Sequence, residues 1–112
     1  MTELSVSVSV EGGDDGSRTV VRLVGEADVT TRALAEVLGA EVSKKPRLLL
    51  LDVSGLTFMD SAALHEIVRA HRELRAEGGL LALVGPSREV ARILELSALD
   101  QVLSVRATAD EA

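Results

Sequence analysis

The chain opens on a strict alternation, with Leu4, Val6, Val8 and Val10 separated by Ser5, Ser7 and Ser9, the period-two pattern of a strand with one buried face. Glu11-Gly12-Gly13-Asp14-Asp15-Gly16-Ser17 is a run of turn formers. Thr19 to Val24 is again rich in β-branched residues, so the two segments predict a hairpin. The period then lengthens. After Gly25-Glu26-Ala27-Asp28, apolar Leu34, Val37, Leu38 and Val42 share one helical face, with Asp28 or Thr30 available as its cap. Lys44-Lys45-Pro46 ends that helix.

Leu48 to Leu51 is a continuous apolar run, as expected of a central strand covered on both faces. Leu64, Ile67, Val68 and Leu74 mark a second amphipathic helix, opened near Asp60-Ser61 and stopped by Gly78-Gly79. Leu80 to Val84 reads as a fourth strand. Gly85-Pro86-Ser87 opens a third helix carrying Val90, Ile93 and Leu94, and Val102 to Val105 reads as the last strand. Strands alternating with helices from Thr19 onward require crossover connections. The expected fold is therefore α/β: a mixed, mainly parallel sheet of about five strands entered by an N-terminal antiparallel hairpin, with three to four helices. One domain is expected over residues 1–106, followed by a polar tail, 107–112.

Composition narrows the chemistry. With 112 residues, 46% of them apolar, the chain suffices for one self-supporting core. The absence of cysteine excludes thiol catalysis, a cysteine-based zinc site and disulfides. A net charge of −6 disfavours nucleic acid, and Phe58, the one aromatic residue, offers no stacking platform for bases. Met1 to Val10 has neither a basic start nor an apolar block, and no apolar run is long enough to cross a bilayer. A cytoplasmic location without membrane insertion is expected. No Gly-rich phosphate loop precedes a helix, so no cofactor is expected.

Ligands and partners of open α/β sheets gather beyond the carboxyl ends of the strands. The loops expected there, Gly25 to Thr31, Ser54 to Ser61 and Gly85 to Ser87, carry Asp28, Asp60, Ser61 and Ser87. The segment Leu56-Thr57-Phe58-Met59-Asp60-Ser61-Ala62-Ala63-Leu64 places hydrophobic side chains beside an Asp-Ser pair at a helix start. Taken with Gly25-Glu26-Ala27-Asp28 after a strand and Leu83-Val84-Gly85-Pro86-Ser87 before the last helix, it resembles the STAS domains of anti-sigma factor antagonists. The resemblance runs from Leu4 to Val105.

It implies a non-catalytic switch. In such proteins the serine directly after the aspartate, here Ser61, is phosphorylated by a serine kinase that is also the anti-sigma factor. The unmodified antagonist binds that kinase and frees the sigma factor. The phosphorylated form is rejected until a metal-dependent serine phosphatase restores it. By resemblance the partner-binding surface comprises Asp28, Asp60, Ser61, Ala62 and His65 with Phe58 and Met59, one of the last two packing in the core and the other touching the partner. The family commonly continues after the serine with Ser or Thr, Gly, Leu and Gly, where this chain has Ala62, Ala63, Leu64 and His65. Ser97-Ala98-Leu99 likewise replaces Thr-Gly-Leu.

Plainer readings compete at each position. Ser61 suits an N-cap, worth about 1 kcal/mol. Asp60, Ser61 and His65 are compatible with a hydrolase triad only in spacing, because no nucleophile elbow or oxyanion hole accompanies them; no enzyme is expected. His71 falls on the apolar stripe as a packed histidine with a satisfied tip, and His65 and His71 are too far apart for a metal pair. Asp52 is expected to bind neighbouring backbone N–H groups, and Glu66 to pair with Arg69. The alternative function is an unphosphorylated subunit of a lipid-transport or stress-signalling assembly, and the self-association considered is a weak homodimer.

Overall fold

In the computed structural model, which describes residues 5–11, 18–27 and 32–106, the strands lie side by side in chain order. β1 (Ser5–Glu11) pairs antiparallel with β2 (Arg18–Ala27). β3 (Leu48–Met59), β4 (Leu80–Val84) and β5 (Ser104–Arg106) follow, each parallel to its predecessor. The crossovers are α1 (Arg32–Ser43), α2 (Ser61–Ala76) and α3 (Arg88–Leu96), and a short 3-10 turn, Leu99–Gln101, precedes β5. Right-handed crossovers in a parallel sheet whose order never reverses put every crossover helix on one face.

The core divides accordingly. One cluster joins Leu23, Leu51 and Val53 of the sheet to Leu38 of α1, Ile67 and Leu74 of α2, and Leu94 of α3. A second, made only of strand residues, holds Val20, Leu50, Ala82 and Val84 on the opposite face. The run Leu48 to Leu51 is continuous because Leu49 and Leu51 serve the first cluster while Leu50 serves the second. Each such leucine contributes roughly 1.5–3 kcal/mol by burial.

The expected hairpin and helices are present, but three boundaries move. β2 and β3 run on to Ala27 and Met59, so the stretches from Gly25 and from Ser54 begin as strand and not as loop. Their pairing survives two register shifts, between Arg22 and Val24 and between Gly25 and Glu26. Gly55 permits the first, since a Cβ there would sit 2.9 Å from Val24 Cγ2. Ser54 and Gly55 look like turn formers in sequence; here the Asp52 carboxylate accepts from the Ser54 N–H and hydroxyl within a strand that continues. The last strand begins at Ser104, because Leu99 to Gln101 winds into the 3-10 turn. The Gly12 to Ser17 turn, the cap of α1 and the tail 107–112 lie outside the described residues.

Helix α2 stops at Gly78, left-handed at φ 83°, as the sequence predicts. After α3 the same conformation falls on Ala98, at φ 62°. A left-handed L-residue is strained by roughly 1–2 kcal/mol, and glycine costs about 0.4–1 kcal/mol more in unfolded-chain entropy. Ala98→Gly is therefore expected to stabilise the fold by up to about 1 kcal/mol, measured by urea unfolding followed by circular dichroism.

Candidate functional site

Two side-chain hydrogen bonds tie the strand ends together. Thr57 Oγ1 donates to the Gly25 carbonyl at 3.3 Å, joining β3 to β2. Ser87 Oγ donates to the Leu56 carbonyl at 2.9 Å and accepts from the Val90 N–H at 3.2 Å, so the residue that caps α3 also fixes that helix to β3. The segments around Gly25, Leu56 to Ser61 and Ser87 thus form one cluster, as topology predicts. Asp28, expected in the same cluster, lies outside the described residues. Ser87 was legible as a helix start, whereas its bond to Leu56 and the role of Thr57 depend on which strands become neighbours.

Within this cluster Asp60, not Ser61, caps α2. Its backbone is extended, and its Oδ1 accepts the Ala63 N–H at 2.9 Å while its carbonyl accepts the Leu64 N–H at 3.1 Å. The reading of Ser61 as the cap is corrected: Ser61 is the first helical residue, exposed, with no hydrogen bond on its hydroxyl among the described residues. The amides of Ser61 and Ala62 likewise find no acceptor, as expected of the first turn. The carboxylate wins because it reaches back over the first turn and is favoured at the positive helix end.

The remaining candidates separate cleanly. Met59 is 1% exposed and belongs to the core, whereas Phe58, on the opposite side of β3, is 44% exposed. Ala62 and His65 are exposed, and Ala63 and Leu64 are buried. A groove of about 460 Å³ starts at Ser61 and follows α2 past Leu64, His65, Val68 and Arg72, with Ser97 and Leu99 as its far wall. The α2 wall is readable as helical spacing, but the far wall required the fold. No hydrogen bond joins Ser61 to His65, and the Asp60 carboxylate is engaged by the cap, so these residues form no triad. On the outer face Arg69 pairs with Glu73 at 3.6 Å rather than with Glu66.

Among the described residues two titratable groups depart from ordinary behaviour. Burial raises the Asp52 pKa, but hydrogen bonds from the Ser54 hydroxyl and N–H and from Arg22 Nε more than offset it, and the net pKa is lowered. This agrees with Asp52 as an organiser of backbone. His71 is lowered by burial and then by the charges of Arg75 and Arg72. Its Nδ1 is buried without a hydrogen-bond partner, contrary to the expectation of a satisfied tip. Among the described residues no three His, Asp or Glu side chains converge as a metal site, and no helix is long and apolar enough to cross a membrane.

The STAS domain family matches residues 7–112. A Thermotoga maritima relative is 34% identical over 64 residues, and that match spans 57% of each protein's length. The anti-sigma-F factor antagonist RsfB of Mycobacterium tuberculosis is 28% identical over 107 residues, which cover 95% of this chain and 87% of RsfB. The crystal structure of an anti-sigma factor antagonist from Mycobacterium paratuberculosis superposes with a TM-score of 0.79 at 30% identity, covering 95% of this chain and 89% of that one.

Because the cap is Asp60, Asp60→Ala is expected to cost about 1 kcal/mol in stability, whereas Ser61→Ala is expected to change it by less than about 0.5 kcal/mol; thermal unfolding by circular dichroism separates the two. The pH dependence has a definite sign. Below about pH 6.5 the unfolded chain binds a proton at His71 that the folded state resists. Stability should therefore fall as pH drops through that value and level off below the lowered folded pKa, and His71→Gln should flatten the decline in unfolding measured from pH 7.5 downward.

Proposed function

The chain belongs to the STAS domain family, and from that premise we propose that it is an anti-sigma factor antagonist switched by phosphorylation of Ser61. Its relatives RsfB and the Mycobacterium paratuberculosis protein are anti-sigma factor antagonists, a class of non-enzymatic regulators. The partner in this reading is an anti-sigma factor with serine-kinase activity, and a metal-dependent phosphatase resets the switch. The observation that carries it is the division of labour at the start of α2: Asp60 holds the cap, and the Ser61 hydroxyl stands exposed and uncommitted beside it.

A phosphate on Ser61 would meet the unpaired amides of Ser61 and Ala62 and the positive end of the helix, so modification is compatible with an intact fold. What changes is the surface. About −1.5 to −2 charges arrive next to the Asp60 carboxylate, on the exposed start of α2 that also presents Ala62 and His65. A partner that closes on this patch must desolvate that charge without a compensating group, which expels the modified form.

The test is binding of wild type, Ser61→Ala and Ser61→Asp to the cognate anti-sigma kinase by calorimetry. Ser61→Ala is expected to bind like wild type, and Ser61→Asp to lose at least about tenfold in affinity, equivalent to about 1.4 kcal/mol, while its circular dichroism stays unchanged. Equal binding of Ser61→Asp and wild type would overturn the switch and favour the assembly-subunit reading. Intact mass of protein isolated from its native host, with a peptide map around Ser61, provides the independent check.

A further inference from the structure

We propose that two copies of this protein associate through the free edge of β1, antiparallel, to form one continuous sheet. The sheet has two edges, β1 and β5. β5 is described over three residues only, Ser104–Arg106, whose described part offers little to pair with. β1 is seven residues long and pairs with β2 without a register shift. The sequence Ser5-Val6-Ser7-Val8-Ser9-Val10-Glu11 contains no proline, no lysine and no arginine, the residues that ordinarily blunt an edge. Among the described residues no strand lies beyond it. Its outward N–H and C=O groups are a template for another strand.

The occupant is a second copy because the strand is complementary to itself. Antiparallel pairing centred on Val8 sets Val8 opposite Val8, Val6 opposite Val10 and Ser7 opposite Ser9, and Glu11 opposite Ser5. From Val6 to Val10 valine meets valine and serine meets serine, and at the two ends Glu11 meets the uncharged Ser5, so no like charges face each other. A foreign strand would match this pattern only by chance. The joint is about 23 Å long at the rise of an extended strand, a small interface, so the dimer is weak. The dyad reverses β3 relative to its copy, which puts the two Ser61 residues at opposite ends of the joined sheet, each free of the joint.

Sedimentation equilibrium of the whole chain tests this. The wild-type mass is expected to rise from 11.8 kDa towards twice that value as concentration goes from about 10 µM to about 1 mM. Ser7→Lys combined with Ser9→Lys sets lysine against lysine across the dyad and should weaken dimerisation at least tenfold. Ser7→Glu combined with Ser9→Glu should do the same. Mixing the two variants, each first shown by circular dichroism to be folded, should restore association as a heterodimer tighter than either homodimer. A wild type that remains at 11.8 kDa at the highest concentration overturns the proposal. So does a lysine variant that dimerises as well as wild type, or a mixture that forms no heterodimer.

Discussion

The handedness of the crossovers governs this structure. Each of the parallel connections must turn right-handed, and because the strand order never reverses, all the helices accumulate on one face. A doubly wound sheet reverses its order and opens a crevice at the reversal, where small ligands bind. This sheet has no reversal and hence no such crevice. The ends of β2 and β3 and the start of α3 instead meet in a cluster tied by Thr57 and Ser87.

Stability and chemistry are separated at the start of α2. Were Ser61 the cap, its hydroxyl would be committed to a backbone amide, and modification would exchange one structural bond for another. With Asp60 as the cap, Ser61 contributes little to holding the helix, and its hydroxyl answers only to what approaches from outside. The proposed modification therefore acts on the electrostatics of the surface and leaves the packing of Ile67 and Leu74 beneath it untouched. In the proposed switch Asp60 serves twice: it fixes the helix, and it sets a negative charge beside the position that would gain more.

Much of this was legible in the sequence because the periodicities are clean. The alternating serines and valines, the leucine run at 48–51 and the helical spacing of Leu64, Ile67 and Leu74 each had one reading, and the structure follows them. Sequence reasoning stumbled where a local signal and a tertiary one conflict. Ser54-Gly55 reads as a turn, but pairing with β2 carries the chain through a bulge to Met59. Asp60 and Ser61 are both good caps, and only the backbone shows which lies outside the helix. Phe58 and Met59 are interchangeable by composition; the alternation of β3 sends one inward and the other out.

The structure also sorts the positions at which this chain departs from its family after Ser61. Ala63 stands where glycine is common, but it is 3% exposed and packs under α2, so its methyl group is a matter of helix stability and core contact. Ala62 and His65 are exposed, one beside Ser61 and the other a turn further on, and His65 lines the groove that ends against Leu99. A partner docking on Ser61, as proposed, would meet both. Loss of a hydroxyl at 62 removes a hydrogen-bonding group there, and the imidazole at 65 replaces a site where glycine would let a backbone approach closely. In the switch proposed above, Ala62 and His65, and not the buried Ala63, are the substituted positions open to a partner.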